Sequence, residues 1–238
     1  MMKVLPKMEI VDLALYFDST LVIADVHIGY EEALNKQGIL VPRLQFEEIV
    51  KRIGAIFRQL KGRKLKTIVV NGDLKHEFGT ISEQEWRNTL KFIDLLGKHC
   101  KEIILIKGNH DTILGPIAKK RNVKVLDKIG IGRVLITHGN KVPDTFKSYN
   151  TIIIGHEHPA VSLREGPRIE RFKCFLKGKY KGRNLIVQPS FNSMVEGTDI
   201  FRDKILSPLL HQNLDNFDVY VVEDKVYEFG KLGTLRKN

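Results

Sequence analysis

The sequence predicts an α/β fold built on two β-sheets. Three observations carry that reading. Short β-branched runs bounded by Gly, Asp and Asn recur along the chain. Apolar residues at helical spacing separate the early runs. After about residue 123 the runs crowd together with little helical pattern between them. The early alternation of strand and helix favours parallel strands, and the later crowding favours a second, more antiparallel sheet packed on the first. No Pro/Ser-rich linker divides the chain, so one domain over 1–238 is expected.

The expected strands, in order, are LALYF (13–17), TLVIA (20–24), TIVVN (67–71), EIILI (102–106), VKVL (123–126), RVLIT (133–137), TIIIG (151–155), NLIVQ (184–188) and DVYVV (218–222). Several read as continuous apolar runs, the pattern of a strand buried on both faces. Residues 43–60 place Leu44, Ile49, Ile53, Ile56, Phe57 and Leu60 near one helical stripe, and residues 82–96 place Trp86, Leu90, Ile93 and Leu96 likewise. Ser82 followed by Glu85 has the spacing of a capping box. A third helix is expected over about 115–121.

Composition narrows the function classes. Of 238 residues, 42% are hydrophobic and 28% charged, which excludes a disordered tail or a fibrous repeat. No stretch approaches the ~18 apolar residues of a membrane span. Pro6, Glu9 and Asp12 interrupt the N-terminal stretch, which therefore does not read as a signal peptide. A cytoplasmic location with no membrane partner is expected. Cys100 and Cys174 lack C-x-x-C spacing, which argues against a disulfide framework and a structural zinc site and for two reduced, buried thiols. The 39 Lys+Arg against 28 Asp+Glu leave a net charge of +11, which attracts polyanions such as nucleic acid. Eight of those basic residues fall in 164–183, interleaved with Phe172, Phe175 and Tyr180. Two readings compete there. One is a solvated hairpin whose lysines protect a sheet edge. The other is a phosphate-tracking groove with stacking aromatics, whose contacts would be Arg164, Arg168, Lys179, Lys181 and Arg183.

Five polar clusters each follow an apolar run: Asp25-Val26-His27, Asn71-Gly72-Asp73-Leu74-Lys75-His76, Gly108-Asn109-His110-Asp111, His138-Gly139-Asn140 and Gly155-His156-Glu157-His158. Ligands of an α/β sheet collect at the carboxyl ends of its strands, so the clusters would pool at one edge. Carboxylates, imidazoles and an Asn carbonyl are metal donors. In D-x-H and H-x-H the two side chains of an extended segment project to one side and reach one centre. The candidate ligands are Asp25, His27, Asp73, Asn109, His138, His156 and His158. Seven are too many for one tetrahedral site and suit two ions sharing a carboxylate, the clamp used on phosphate esters. Gly72, Gly108, Gly139 and Gly155 fit as tight turns beside the metals. His99, His211 and Trp86 read as structural.

D-x-H, G-D, G-N-H-D, H-G and G-H-x-H in this order resemble the calcineurin-like metallophosphoesterase superfamily, over Asp25 to His158. The resemblance implies a four-layer α/β/β/α sandwich of two mixed sheets. It implies that Asp25, His27 and His158 hold one metal, that Asn109, His138 and His156 hold the other, and that Asp73 bridges them. It gives His110 the roles of contacting the phosphate and protonating the leaving oxygen, with Asp111 orienting it. G-D-L-x-H, G-N-H-D, H-G-N and G-H-E-H are similar to double-strand-break-repair nucleases of SbcD type, in which the position of His76 is also His. Cys174-Phe175, Pro189-Ser190-Phe191-Asn192 and Gly197-Thr198 resemble small SbcD-related and DNA-ligase-associated phosphoesterases. Glu77-Phe78-Gly79-Thr80 departs from the repair-nuclease pattern, and no large capping domain is expected within residues 1–238.

The function this implies is a dinuclear-metal phosphodiesterase acting on nucleic-acid or nucleotide diesters by metal-hydroxide attack. The two divalent ions would be manganese, with iron or zinc as alternatives, and a DNA-repair protein is a possible partner. His76 and Asn192, with Ser190 nearby, join Arg168, Lys179, Lys181 and Arg183 as candidate substrate contacts. Competing readings are a phosphomonoesterase on phosphoproteins or metabolites, a non-catalytic scaffold, and a DNA-binding accessory subunit.

Overall fold

The structure is a computed structural model that describes residues 1–77, 81–111 and 114–236. Every expected β-branched run forms a strand. The first sheet takes β1 (Met2–Leu5), β2 (Met8–Val11), β3 (Ala14–Phe17), β4 (Thr20–Ala24), β5 (Thr67–Asn71), β6 (Glu102–Ile106) and β7 (Lys124–Leu126), laid side by side in chain order. Helices α1 (Tyr30–Lys36) and α2 (Gln45–Gln59) lie between β4 and β5. Helix α3 (Glu83–Gly97) joins β5 to β6, and α4 (Gly115–Arg121) joins β6 to β7. β1 to β4 form an antiparallel meander, while β4, β5, β6 and β7 run parallel. The expected alternation of strand and helix thus yields parallel pairing where helices intervene and antiparallel pairing where only turns do.

The second sheet takes β8 (Lys128–Ile131), β9 (Val134–Thr137), β10 (Thr151–Ile154), β11 (Pro159–Glu165), β12 (Arg168–Tyr180), β13 (Arg183–Val187), β14 (Thr198–Asp199), β15 (Asp218–Val222) and β16 (Val226–Lys231). It is more mixed than expected. β9, β10 and β13 are parallel neighbours, because the long connections after β9 and β10 carry the chain back before each next strand begins. β12 is long enough to serve two sets of partners. Its first half pairs β11, and its second half lies between β13 and β15.

Alternation along the second sheet sorts its side chains between two cores. Ile136, Ile153, Phe175, Ile186 and Tyr220 face the first sheet and share one cluster with Val22, Ile23, Val69 and Leu105. The same cluster continues through the first sheet to Ile49, Ile53 and Ile56 of α2 and Leu90, Ile93 and Leu96 of α3. Ile152, Ile154, Leu176, Leu185 and Val187 face outward. They are covered by Leu209 and Leu210 of a 3₁₀ turn, Phe217, and Leu232 of α5 (Leu232–Leu235). The layers are therefore helix, sheet, sheet and a thin outer layer, the α/β/β/α sandwich with a reduced fourth layer. Among the described residues no helix is long and apolar enough to cross a membrane.

Two local expectations need correction. Leu44 stands exposed at the start of α2, one residue before the helix turns its stripe to the sheet. The capping box forms only half. Ser82 Oγ accepts the Glu85 N–H at 3.0 Å, but the Glu85 carboxylate turns away to the loop after β5. Ser82→Ala should cost about 1 kcal/mol in urea unfolding. An unchanged midpoint would show that water replaces the cap.

Candidate metal centre

The parallel pairing decides where the polar clusters go. β4, β5 and β6 end side by side in one sheet, β9 and β10 in the other, and all five clusters emerge at the same edge. Main-chain hydrogen bonds bind the emerging loops together. Asp25 N–H donates to Gly72 O (3.2 Å), His27 N–H to Asp73 O (2.8 Å) and Ile28 N–H to Leu74 O (3.0 Å). Across the sheets, His156 N–H donates to Asp25 Oδ2 at 3.0 Å. Ser190 Oγ donates to Asp25 O at 2.7 Å, and Phe191 N–H to Ala24 O at 2.8 Å.

The backbone is strained where the candidate ligands sit. Asp25 (φ 54°), His27 (47°), Asp73 (45°), His156 (65°) and His158 (50°) all adopt the left-handed region. Each such non-glycine residue costs about 1–2 kcal/mol, and strain of this kind collects at functional sites. It aims the side chains inward, into groups that can hold metal ions. Asp25, His27 and His158 form one, Asp73, His138 and His156 a second, and His27, His76 and His110 a third that shares His27 with the first. The Asn109 carbonyl oxygen lies 3.0 Å from His138 Nε2 and so joins the second group. Asp73 Oδ2 lies between the first two groups, 3.8 Å from His27 Nε2 and 3.4 Å from His138 Nε2.

The donor set fits metal. Asp25 Oδ1, His27 Nε2 and His158 Nε2 are buried without a well-formed hydrogen bond among the described residues, although His158 Nε2 approaches Asp25 Oδ1 to 3.3 Å. Leaving buried polar atoms unpaired costs about 1–3 kcal/mol each, and a cation would satisfy all three together. The electrostatics of Asp73, His156 and His27 agree, whereas His138 would have to give up a proton to ligate. Burial would raise the Asp73 carboxyl, but the hydrogen bond and charge of His138, with His27 and the His110 N–H, hold it well below the usual carboxylate range. Burial works to lower His138, yet Asp73 and Asp25 lift it to about 9. Burial and the charge of His138 push His156 down to about 4, and burial with His158 pushes His27 down, so both imidazoles are neutral donors near pH 7.

His110 stands beside the first two groups. Its backbone N–H donates to Asp73 Oδ1 (2.8 Å), and its Nδ1–H meets the His76 carbonyl oxygen at 2.6 Å. The orientation that the resemblance assigned to Asp111 thus falls on the main chain. Asp111 instead accepts from the N–H groups of Leu74, Lys75 and Gly108, tying the β5 and β6 loops together. Burial and the nearby Asp73 charge push the Asp111 carboxyl up to about 6. His76 is brought in, with its Nδ1 3.4 Å from His27 Nδ1 and its ring stacked on His110 at 5.2 Å. Burial and His110 lower it to about 4. Asn192 is 0% exposed, and the Nζ of Lys173 donates to the carbonyl oxygens of Ser190 and Asn192. Ser190 therefore braces Asp25 from beneath, with the Asn192 N–H donating to its Oγ at 3.2 Å, and neither buried residue lines an open mouth.

The basic stretch divides. Lys179, Lys181 and Arg183 lie at the opposite edge, because Asn184 pairs with Thr151, the first residue of β10, whereas the site follows its last. Arg168 is at the tip of the β11–β12 hairpin, five residues beyond Lys173, and pairs with Glu170. None of these four reaches the metal ligands. Arg164 binds its neighbour's carbonyl at Gly166 on the same hairpin. His99 stacks on Phe57, His211 meets the Ile205 carbonyl, and Trp86 packs half-buried on the core, as expected of structural residues. Phe78, Gly79 and Thr80 lie outside the described residues.

Three supporting residues escape sequence reasoning. Glu85, 1% exposed, accepts the N–H groups of His76 and Glu77 from helix α3. Lys75 is fully buried, and its ammonium donates to the carbonyls of Glu77 and His110. Gln45 donates to the His27 carbonyl at 2.8 Å. The only available signal was that two of them are polar residues on otherwise apolar helix stripes.

Gly72 and Gly108 are required by close approach. A Cβ on Gly72 would overlap the His138 ring, and one on Gly108 would overlap the Asp73 carboxylate. Gly108→Ala should lower the urea stability of chelator-treated protein by about 1–3 kcal/mol with the far-UV circular dichroism unchanged. A loss below about 0.5 kcal/mol would mean that the Asp73 carboxylate gives way freely.

Comparison with known proteins bears on the fold and the family. Among solved structures, Pseudomonas putida nuclease MPE is similar in fold, with a TM-score of 0.65 at 20% identity, covering 93% of this chain and 94% of that one. A protein of unknown function, AQ665 from Aquifex aeolicus, has 19% identity and a TM-score of 0.36 over 58% of this chain and 78% of its own. A Vps29 double mutant from Entamoeba histolytica has 16% identity and a TM-score of 0.34 over 89% and 91%. No curated protein matches the sequence. The family model for calcineurin-like phosphoesterases matches residues 19–213, from the strand before Asp25 to beyond the last site loop. The chain belongs to the calcineurin-like phosphoesterase family, whose chemistry is the metal-dependent hydrolysis of phosphoric esters.

Proposed function

We propose that the chain is one catalytic domain, a dinuclear-metal phosphodiesterase that hydrolyses nucleic-acid or nucleotide diesters. The observation that carries this reading is the pair of ligand groups flanking Asp73 Oδ2, with three buried donor atoms in the first group left without a well-formed hydrogen bond. Asp25, His27 and His158 would hold one divalent ion, Asn109, His138 and His156 the other, with Asp73 shared. Manganese is the favoured metal, and the mixed O/N donor set also suits iron or zinc. When bound, two such ions lower the pKa of a water molecule and neutralise phosphoryl oxygens.

The chain's own residues supply the rest. His110 keeps its Nδ1–H on the His76 carbonyl, so Nε2 is the nitrogen that hands a proton to the leaving oxygen. With Nε2 of His27 as ligand atom, its Nδ1–H donates to His76 Nδ1, which fixes the ring toward the ion. His76 is thereby a positioning residue for both His27 and His110. The preference for a diester, and for nucleic acid, is supported by the repair-nuclease-like motif set and the net charge of +11. The Pseudomonas putida neighbour is a nuclease, but that likeness carries the fold alone.

With Mn²⁺ the protein should hydrolyse bis-p-nitrophenyl phosphate, and His110→Ala should lower kcat about 10²–10⁴-fold. A clear preference for p-nitrophenyl phosphate would move the assignment to a phosphomonoesterase, and inactivity with every divalent metal would overturn it. Metal should also stabilise the fold. Manganese at about a thousand times its Kd contributes about 4 kcal/mol, read as a rise in Tm over chelator-treated protein. Asp73→Asn should remove most of that rise. A wild-type Tm indifferent to metal would exclude a metal centre.

A further inference from the structure

Seven of the eight basic residues of 164–183 sort into two populations once their partners are known, and the eighth, Arg164, donates to the Gly166 carbonyl on its own hairpin. Arg168 pairs with Glu170, Arg171 with Asp203, and Lys177 with Asp218. Lys173 is spent on two carbonyl oxygens beneath the site. Lys179, Lys181 and Arg183 differ. Among the described residues, none of them has a carboxylate within 4.0 Å, and neither does Lys147, which the fold brings beside them.

These four cations line one cavity of about 340 Å³, together with Tyr149, Asn150, Gly182 and Asn184. Among the described residues no carboxylate lines it. The cations are held in place. Arg183 donates from Nε to Phe146 O (3.2 Å), from Nη2 to Lys147 O (2.9 Å) and from Nη1 to Lys181 O (2.8 Å), which clamps the 146–147 segment against the β12–β13 turn. Lys181 lies over the rings of Phe146 and Tyr180, and Lys179 bonds Asn184 Oδ1 at 2.7 Å. Like charges gathered this way repel unless an anion joins them.

Edge protection does not explain them all. β13 is an interior strand, between β12 and β10, and the end of β12 pairs with it. Beyond Lys177 the end of β12 has no strand partner on its β15 side, so edge protection could account for Lys179, but Lys181 and Lys147 lie off the paired strands and guard no edge. The metal ligands do not explain them either, because this turn lies at the opposite ends of the strands that carry the site.

We propose that this cavity is a second, non-catalytic site for the phosphate groups of a polynucleotide backbone. An Arg with a fixed guanidinium and three ammonium groups suit phosphate oxygens, and half-buried Tyr149 lines the cavity beside them. The site would anchor a strand away from the metal centre, and its existence does not depend on which ester that centre cleaves.

The test is fluorescence anisotropy with a labelled 20-nucleotide single strand in EDTA, so that cleavage plays no part. Lys147→Gln/Lys181→Gln should weaken binding about tenfold and lower the slope of log K against log salt by about 1.4, at about 0.7 per phosphate contact. Inorganic phosphate should displace the strand only at millimolar levels. Tm within about two degrees of wild type would exclude a folding defect, and Lys179→Gln alone, on the strand's flank, should lower the slope by about half as much. Equal affinity and salt slope for wild type and both variants would overturn the proposal. Tight binding of inorganic phosphate that the variants lose, without strand binding, would overturn the polynucleotide and leave free phosphate as the ligand. Neither outcome touches the metal centre, which the diester assay reports separately.

Discussion

The Asp73 carboxylate is the interaction on which the site depends. Its Oδ1 receives the His110 N–H, and its Oδ2 lies within 4 Å of imidazole nitrogens from both sheets. Its own carbonyl receives the His27 N–H. One residue at the end of β5 therefore fixes the loops after β4 and β6 and meets the histidine after β9. The surroundings are built to leave it in place. Gly108 and Gly72 make room beside it and beside His138, and a side chain at either position would displace one or the other.

Such an arrangement opposes folding locally. Five left-handed non-glycine residues and a set of buried donor atoms without well-formed hydrogen bonds gather at one edge. What offsets them is the sandwich behind. Its shared core runs unbroken from α2 and α3 through both sheets, and buried side chains of that kind contribute about 1.5–3 kcal/mol each. The rigid strands also set the direction of the strain. Each loop leaves a paired strand whose last residues cannot shift without breaking the ladder, so the turn absorbs the cost and the ligand atoms converge.

Much of this was legible in the sequence because it is local or follows from strand direction. All nine β-branched runs became strands, and polar clusters at the ends of parallel strands must share an edge. What was not legible depends on long-range register. Residues 164–183 look like one basic patch along the chain. β12 within them has 13 residues, about 40 Å of extended chain, so Arg168 and Lys181 end on opposite sides of the molecule. Glu85 was misread for a similar reason. Its spacing from Ser82 suits a local cap, but the loop after β5 offers two N–H donors, and the buried carboxylate goes there. Lys75 hides inside a motif whose neighbours are ligands, and only the packing shows that its ammonium closes the loop under His110.

Charge balance links the two edges. In the proposed reading the metal edge sets Asp25 and Asp73 against two divalent ions, with five neutral ligands around them. That leaves two positive charges, or three with the His110 imidazolium that hands over the proton, so the metal edge suits an anionic phosphoric ester. The far edge keeps three of the basic residues of 164–183 without countercharge, while Arg168, Arg171 and Lys177 of the same stretch are paired. A small diester would be served by the metal edge alone. A chain of diesters offers one phosphate for cleavage and others at a distance, and two cationic regions at opposite ends of one sheet suit that repetition better than they suit any single small ester.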